Sequence, residues 1–303
     1  MKKTIWLLFT LLLLLVAGGF LYWKLSRPVP RNTAVVSHWP TPLPEAPLPP
    51  TSPSPNASSG HTRTAVAPPE PEIKKEAPAT EPGFVLRQGE TLDYSANVTK
   101  LNSTVADLRI IAAERRPSTG KGSWHLQAFA HTENPYRMVF QLDDQFDSYS
   151  DAGNMTSLQY EMHLNERGQK VDSVERLLSS VQDPAPLGTS AARVPTGTRD
   201  PLGMLEYLRG VDWNHKSEVH SSVYDGRKLY EVRAVLVGKS TAVTVPAGNF
   251  NTTKIEIHVL DNGTEMKDAH FLLYLTNDAA RLPVLMEAVL PVATVSVELT
   301  KAK

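Results

Sequence analysis

The sequence contains no cysteine and almost no net charge, and each absence excludes a group of functions. Its 303 residues have a formal net charge of −1, with 21% charged and 41% apolar residues. Without cysteine, disulfides, thiolate catalysis, iron–sulfur clusters, cysteine-bound zinc and a lipid on an N-terminal cysteine are all excluded. A balanced charge gives no clustered basic surface for a phosphate backbone, so we expect no nucleic-acid partner.

Catalytic motifs are missing as well. The chain has neither Gly-x-Ser-x-Gly nor His-Glu-x-x-His. Gly238-Lys239-Ser240 matches the end of a phosphate-binding loop, but Arg233 occupies the position of the first glycine. The surrounding pattern is also strand to strand, whereas such a loop joins a strand to a helix. We therefore predict a protein that is not an enzyme, with no cofactor, no catalytic residue and no metal site.

Histidines and acidic residues do not form a metal-binding motif. The densest group is His215, Glu218 and His220. On a strand Glu218 and His220 share one face and His215 points to the other, so the pattern favours a solvated strand over a metal site. Three other histidines occur singly on or near predicted strands and are interpreted as surface or core residues: His125, His131 and His163.

The N-terminus carries one apolar segment. Residues 4–23 contain no charge and follow Lys2 and Lys3, and about twenty helical residues cover the roughly 30 Å hydrocarbon thickness of a bilayer. We predict a signal anchor over residues 1–27 that spans the bacterial inner membrane once and places the rest of the chain in the periplasm. The alternative is a cleaved signal peptide, with the cut near Gly19 and a secreted or periplasmic product.

Residues 28–83 form a proline-rich stretch. It holds the majority of the 24 prolines, mixed with Ala, Ser, Thr and Glu. Proline fixes φ and has no backbone N–H to donate, and large apolar residues are scarce, so this segment cannot bury enough surface to offset the entropy of ordering. We predict a disordered linker between the membrane segment and a folded domain.

Period-two alternation of apolar and polar residues dominates from residue 84 to 303. It is clearest at 92–98, 158–164 and 295–299, and it indicates strands with one buried face. Asp225-Gly226 and Asn262-Gly263 lie between strand-like runs and predict hairpin turns. The domain is therefore predicted to be mainly β, an antiparallel meander of some eleven to thirteen strands forming a curved sheet, a half-barrel or a barrel.

One short helix interrupts the strand pattern. Asp200 is a good N-cap, Pro201 suits the first turn, and Gly210 provides the stop. Three leucines fall on one face of this helix: Leu202, Leu205 and Leu208. The preceding residues, 182–198, are rich in Pro, Gly, Ala and Thr and are predicted to form a long loop.

Several short motifs resemble a known family. They are Gly89-Glu-Thr-Leu-Asp-Tyr94, Arg199-Asp-Pro-Leu202, Tyr207-Leu-Arg209, Val245-Pro-Ala-Gly-Asn-Phe250, Leu275-Thr-Asn-Asp278 and Arg281-Leu-Pro-Val284. In order and spacing they are similar to the bacterial exported domain-of-unknown-function family 3108 (DUF3108). The resemblance covers residues 84–303 and implies an exported, mainly antiparallel β domain with no established activity. Tyr274 stands where that family often has tryptophan, which argues against a role that needs an indole.

Two groups of residues are candidates for a binding site. A curved sheet that does not close completely can accept a lipid or peptide on its apolar face. Five residues fall in strand patterns that could line such a hollow, although core packing is the alternative for each: Tyr94, Trp124, Phe140, Tyr160 and Met162. A second group, Arg199, Asp200 and Arg209, is either a structural cap and charge pair or a gate that contacts an anion.

We therefore expect a membrane-anchored envelope protein that binds an apolar ligand, such as a lipid, or a protein segment without catalysing a reaction. The alternative is a periplasmic scaffold that contacts envelope proteins through exposed sheet edges. A hydrolase without a recognisable motif is the third possibility.

Overall fold

The computed structural model describes residues 86–99, 101, 103–116, 122–179, 190–266, 270–291 and 293–303. The predicted signal anchor at 1–27 and linker at 28–83 lie outside these residues. Among the residues that are described, no helix is both long and apolar enough to cross a membrane.

The domain consists of two arms of strands joined by one helix. The first arm contains β1 (Thr91–Val98), β2 (Ser103–Arg116), β3 (Ser123–Thr132), β4 (Asp143–Asp151), β5 (Ser157–Glu166), β6 (Gln169–Leu178) and β7 (Ser190–Arg193). Helix α1 (Pro201–Gly210) follows. The second arm contains β8 (Glu218–Tyr224), β9 (Leu229–Val245), β10 (Gly248–Asp261), β11 (Thr264–Glu265), β12 (His270–Thr276), β13 (Pro283–Val289) and β14 (Thr294–Ala302).

All fourteen strands belong to one sheet, in which the two ends of the chain meet at the centre. The order is β7-β6-β5-β4-β3-β2-β1-β14-β13-β12-β10-β9-β8, with β11 paired to β10 alone. The first and last strands pair from Leu92 with Ala302 to Val98 with Val295. Neighbours are antiparallel except β6 and β7. Each arm is thus a meander, and α1 connects the two outer edges of the sheet.

Those outer edges are brought together by the residues just before α1. Ser157 N of β5 donates to Thr198 O at 3.0 Å. Arg199 N donates to Ser222 O at 3.0 Å, and Tyr224 N donates to Arg199 O at 2.8 Å, which forms an isolated bridge to β8. The open sheet is therefore curved enough for the two residues 198–199 to bond both β5 of the first arm and the edge strand β8.

The turn between β8 and β9 also packs against the first arm. A Cβ on Gly226 would lie 2.5 Å from Met162 Cε, and this glycine has φ +91°. Tyr224, the last residue of β8, donates a hydrogen bond from its hydroxyl to Glu175 of β6. Only glycine satisfies both the positive φ and the close approach, so this residue type is required by the contact between the arms.

The alternation read from the sequence corresponds to the buried face. In β1 the side chains of Leu92, Tyr94 and Ala96 are at most 1% exposed, and Val295, Val297 and Leu299 of β14 are at most 3% exposed. These residues belong to one continuous apolar core that includes both arms and α1. Each fully buried Leu or Val contributes about 1.5–3 kcal/mol relative to exposure, so the alternating pattern strongly favours a single register.

The prediction of a mainly β, antiparallel domain with one short helix is confirmed. The predicted hairpins are present, with Asn262 and Gly263 both at positive φ. Two details were wrong. There are fourteen strands, and the predicted loop at 182–198 contains β7, because its four residues pair in parallel with β6. An edge strand so short gives little periodic signal.

Candidate functional site

An apolar cavity lies between α1 and the second arm. Its volume is about 90 Å³. The lining residues are all apolar: Pro201, Met204, Leu205, Leu208, Val223, Val232, Ile257, Phe271, Leu272, Leu273 and Met286. Pro201, Ile257 and Leu272 are partly exposed, and they mark where the cavity approaches the surface. A void with such a lining favours an apolar occupant over water, because it offers water no hydrogen-bond partners.

The helix contributes a continuous stripe to this cavity. Pro201, Met204, Leu205 and Leu208 are spaced i, i+3, i+4 and i+7, so they project from one side of α1. The opposite side is buried too, since Leu202 is 1% exposed. A helix of only ten residues would be marginal alone in water, so its position depends on how its two ends are held.

The N-terminal end is held by Asp200. One carboxylate oxygen, Oδ1, accepts from Leu202 N and Gly203 N, each at 2.9 Å. The other, Oδ2, accepts from Ser148 Oγ at 2.6 Å and from Ser157 Oγ. Burial raises the pKa of Asp200, and these donors oppose the shift. The first turn of α1 is thereby fixed to β4 and β5.

Gly203 allows this close approach. A Cβ at this position would lie 3.0 Å from both Met155 O and Ser150 Oγ. Helical glycine costs about 1 kcal/mol relative to alanine, and the contact with β4 and β5 explains why it is nevertheless present here.

Arg199, next to the cap, binds backbone rather than an acid. Its Nε and Nη2 donate to Asn154 O at 3.2 and 2.8 Å. Its Nη1 donates to Ser221 Oγ at 2.9 Å, and the guanidinium lies 3.6 Å from the centre of the Tyr207 ring. Arg199 therefore connects the β4–β5 turn, β8 and α1 at the point where the sheet edges meet.

The C-terminal end of α1 is held by Arg209, whose side chain is 0% exposed. Its Nη1 lies 2.7 Å from Glu90 Oε1 and 2.8 Å from Glu206 Oε2. Its Nε and Nη2 donate to Arg281 O at 3.1 Å and Ala280 O at 3.0 Å. The guanidinium joins the helix to the start of β1 and to the β12–β13 turn.

The contacts of the second candidate group fit its structural alternative, a cap and a charge pair. Asp200 is the predicted cap. Arg199 and Arg209 flank it in sequence, but their recorded partners are backbone carbonyls, Ser221, Tyr207, Glu90 and Glu206. A fully buried Arg209 is in no position to act as a gate for an anion from solvent.

The five residues predicted to line a hollow do not line this cavity. Four are buried in the core, namely Tyr94 at 1%, Trp124 at 4%, Tyr160 at 2% and Met162 at 3% exposure. Phe140 is partly buried and lies between a short 3₁₀ helix and β4, so its assignment to a strand was wrong. The cavity forms instead between α1 and the second arm.

A polar cluster that sequence reasoning missed covers the other face of the first arm. Asp147 of β4 and Glu161 of β5 are directly opposite each other, and both side chains are 0% exposed. His125 Nε2 lies 2.6 Å from Asp147 Oδ1. His163 Nε2 lies 3.4 Å from Glu161 Oε2. We refer to these four residues as the carboxylate–histidine cluster.

Three glutamine amides orient the two carboxylates. Gln127 Nε2 donates to Asp147 Oδ1 at 2.8 Å, and Gln145 Nε2 donates to Asp147 Oδ2 at 2.7 Å. Gln159 Nε2 donates to Glu161 Oε1 at 2.7 Å. These donors are neutral, so they satisfy lone pairs of the carboxylates without balancing the charge.

The pKa values in the cluster reflect these contacts. The hydrogen bond to Glu161 raises the pKa of His163 to about 9 despite its burial. Burial alone would raise the pKa of Asp147, but hydrogen bonds from His125, Gln127 and Gln145 outweigh it and leave that pKa below its usual value. The buried Asp147 carboxylate is thus held in the ionised form.

A signal for the cluster exists in the sequence. Along three consecutive strands the positions between core residues are occupied by imidazole, amide or acid: His125 and Gln127, Gln145 and Asp147, and Gln159, Glu161 and His163. Each strand alone has the pattern of a solvated face. Only the register between strands brings Asp147 opposite Glu161.

The histidines at the start of the second arm do not form a comparable group. His215 pairs with Asp212 and His220 with Glu218, each at 2.5 Å, and the two imidazoles are 83% and 69% exposed. The interpretation of a solvated strand fits this geometry.

Comparison with known proteins places the fold in a family context. The family model described as "Protein of unknown function (DUF3108)" matches residues 93–300. No curated protein matches the chain.

Three solved structures are similar in overall course. A β-barrel-like protein of the domain of unknown function DUF1849 from Brucella abortus is 13% identical, with a TM-score of 0.47 over 72% of this chain and 98% of that chain. A protein described as a "putative lipoprotein" from Parabacteroides distasonis is 11% identical, with a TM-score of 0.36 over 73% of this chain and 97% of that chain. A Bacteroides fragilis protein with a YmcC-like fold is 10% identical, with a TM-score of 0.34 over 73% and 98%. No ligand or activity follows from likenesses at this level.

Proposed function

The chain belongs to the DUF3108 family of proteins of unknown function, and on that premise we propose that it is a non-enzymatic binding module of the bacterial envelope. Its proposed ligand is the end of an acyl chain, seated in the cavity between α1 and the second arm. The observation that carries this proposal is a cavity lined only by apolar side chains, between the helix and the sheet.

Size and lining support an acyl chain end. A dry cavity of about 150 Å³ lined by Leu, Ile and Phe takes up benzene, so 90 Å³ accommodates a few methylene groups and not a whole lipid. Met204 and Met286 line it from the helix and from β13. Methionine side chains adapt to irregular apolar shapes, so the cavity can adjust to a chain end without moving the backbone.

The way α1 is held supports a preformed site. Asp200 at one end and Arg209 at the other are both buried and hydrogen-bonded to the sheet. A ligand entering between helix and sheet then meets a cavity whose walls are already positioned, which lowers the entropic cost of binding.

The proposal is tested by filling the cavity. Val232 lines it and is 2% exposed, so Val232→Phe places a ring inside. Val237 on the same strand is 48% exposed, so Val237→Phe is a matched control. Binding of a medium-chain fatty acid, measured by isothermal titration, should be lost in the first variant and kept in the second.

Lipid extraction and mass spectrometry of the purified chain provide the second readout. We expect an acyl species with the wild type and Val237→Phe, and none with Val232→Phe. Equal fatty-acid binding by all three proteins, with no acyl species extracted, would overturn the proposal. Unfolding curves identify a variant that has simply lost its fold.

The proposed location rests on the N-terminal sequence. The uncharged segment 4–23 would anchor the protein in the inner membrane, and the domain would lie in the periplasm. Protease added to intact spheroplasts should digest the domain from outside. The mass of the mature protein distinguishes an intact anchor from cleavage near Gly19.

Contact with other envelope proteins is the second candidate. One observation favours it: Met138 and Val139 are 85% and 77% exposed at the tip between β3 and β4. The sheet edges favour it less, because β7 has only four residues and Arg199 occupies part of β8. In-cell crosslinking from position 138 should yield a defined protein adduct if this candidate is correct, and Met138→Asp with Val139→Asp should remove it.

A further inference from the structure

We infer that the carboxylate–histidine cluster binds one divalent transition-metal ion of the zinc or manganese class, with Asp147, Glu161 and His163 as ligands. The site lies on the face of the first arm opposite to Tyr160 and Met162, and it is independent of the apolar cavity. It departs from the expectation, drawn from the sequence, that the chain has no metal site.

The spacing of the donor atoms fits one ion. One ligand atom from each of Asp147, Glu161 and His163 lies within 4.8 Å of the others. Two ligands at about 2.0–2.1 Å from a tetrahedral ion are separated by roughly 3.4 Å. His163 Nε2 and Glu161 Oε2 are 3.4 Å apart. Glu161 and His163 are thus already at the separation of two ligands of one ion, and Asp147 lies within 4.8 Å of both.

The orientation of the His163 ring supplies a second observation. Its Nδ1 lies 2.9 Å from Asp172 Oδ1 on β6. An ionised carboxylate only accepts hydrogen bonds, so Nδ1 carries the proton. A histidine that binds a metal through one nitrogen usually donates its other N–H to a carboxylate in this way. Asp172 thus positions Nε2 toward Asp147 and Glu161.

The separation of His163 and Glu161 suits a cation bound by both. His163 Nε2 faces Glu161 Oε2 across a distance of 3.4 Å. A proton there would form a charge-assisted hydrogen bond, for which about 2.7–2.9 Å is usual. The observed 3.4 Å is longer than this and matches two atoms that share a metal ligand sphere.

The surroundings suit a metal more than an empty ion-pair cluster. Two wholly buried carboxylates face each other, and three glutamines fix their orientation without supplying charge. His125, 14% exposed and in contact with Asp147, stands at the rim as a possible fourth donor. Mixed imidazole and carboxylate ligands favour zinc or manganese over calcium or magnesium, which prefer oxygen alone.

The test uses the full-length chain in detergent, purified with a tag that does not bind metal and stripped with a chelator. Isothermal titration with Zn²⁺ and with Mn²⁺ should give one ion per chain for at least one of the two. At a free ion concentration about 100 times Kd, Tm should rise by about 5–10 °C. Ca²⁺ and Mg²⁺ at the same concentration should give a much smaller rise.

Isosteric variants locate the ion. Glu161→Gln and Asp147→Asn should each weaken binding at least 100-fold, while Asp172→Asn should weaken it about 10–100-fold through the orientation of His163. The matched control is Glu218→Gln with His220→Gln, which removes an exposed pair of the same residue types and should leave binding unchanged. Circular dichroism confirms that each variant folds.

Two outcomes overturn the inference. One is a wild-type protein that takes up neither ion at millimolar concentration. The other is an unchanged titration in Glu161→Gln and Asp147→Asn, which would place the ion elsewhere. Retained binding in both variants together with loss in the control would assign the ion to His220.

Discussion

Two buried clusters in this domain contain facing or adjacent carboxylates, and they are neutralised in different ways. Glu90 and Glu206 share the guanidinium of Arg209, which is 0% exposed. Asp147 and Glu161 are in contact with the imidazoles of His125 and His163 and with three amides. Arginine is permanently charged, so the first cluster has a fixed counter-charge. Imidazole is a ligand for transition metals, so the second can exchange its counter-charge for an ion.

The difference separates a structural cluster from a candidate binding site. The Arg209 cluster joins α1 to β1 and to the β12–β13 turn, and every guanidinium nitrogen has a partner. The carboxylate–histidine cluster joins neighbouring strands that already pair through their backbones. Its side chains are therefore less needed for the fold, which leaves them available for a ligand.

Substitution in the Arg209 cluster should cause the largest loss of unfolding free energy. Arg209→Met leaves Glu90 and Glu206 without their guanidinium, and removal of one partner from a buried pair costs about 3–5 kcal/mol. Urea unfolding gives the difference. Arg109→Met is the control, because Arg109 pairs with Asp93 but is 55% exposed, and exposed pairs contribute at most about 1 kcal/mol. Similar losses for both variants would contradict a structural role specific to Arg209.

Removal of the buried Asp200 carboxylate, which accepts hydrogen bonds from neutral donors, should cause the second-largest loss of unfolding free energy. Asp200→Ala removes the helix cap and leaves Ser148, Ser157 and two backbone N–H groups without their acceptor. We expect a loss of about 2–4 kcal/mol by urea unfolding. Asp278→Ala, which removes acceptors from an exposed turn, should cost about 1 kcal/mol. If Asp200→Ala costs no more, the cap does not hold α1.

Asp144 is a buried carboxyl whose Oδ2 has no hydrogen-bond partner among the described residues. Burial raises its pKa to about 6 from 3.8, so the folded state binds this proton more tightly than the unfolded state. Its contribution to stability is full below about pH 4 and is lost as pH rises through 6. The stability of Asp144→Asn relative to the wild type should therefore increase by about 2–3 kcal/mol from pH 4 to pH 7, measured by urea unfolding across that range.

The adjacent residue is the natural control, because it lies on the other face of β4. The hydrogen bond from Arg137 lowers the pKa of Asp143 to about 2. Its contribution is present above about pH 4 and is lost as pH falls toward 2. Asp143→Asn should thus be less stable than the wild type near pH 7, and this difference should shrink as pH falls toward 2. The same pH slope in both variants would mean that the two environments do not differ as described.

The smallest loss of unfolding free energy is expected in the carboxylate–histidine cluster. In the presence of chelator, Glu161→Gln should cost about 1 kcal/mol or less, since relief of repulsion with Asp147 offsets the lost contact with His163. Glu206→Gln should cost more, because it weakens the ion pair with Arg209, and Arg209 also joins α1 to Glu90 beside β1. Equal losses in urea unfolding would remove the distinction between the two clusters.

Sequence reasoning anticipated the parts of the fold that depend on neighbouring residues. Asp200, Pro201 and Gly210 predicted α1 with its observed start and end, since caps and helix stops act within one turn. Alternation predicted the buried face of β1 and β14. The β7 strand was missed because only its pairing with β6 makes it a strand.

The candidate sites were not predictable to the same degree. Tyr94 and Tyr160 have the pattern of residues that line a hollow, yet both are at most 2% exposed in a filled core. The cavity lies under α1 instead, at positions whose alternation resembles any buried strand. His125 and His163 were each interpreted singly, whereas the register of β3, β4 and β5 brings them to the same pair of carboxylates.

The sequence by itself determined the class of the domain, the single capped helix and the membership of residues 93–300 in DUF3108. Tertiary structure alone decided that the two ends of the sheet meet at Arg199, that α1 leaves an apolar cavity beside the second arm, and that Asp147 faces Glu161. The reason is physical. Hydrophobic periodicity and capping are local and act along the chain, whereas these three features depend on strand register and sheet curvature, which join residues far apart in sequence.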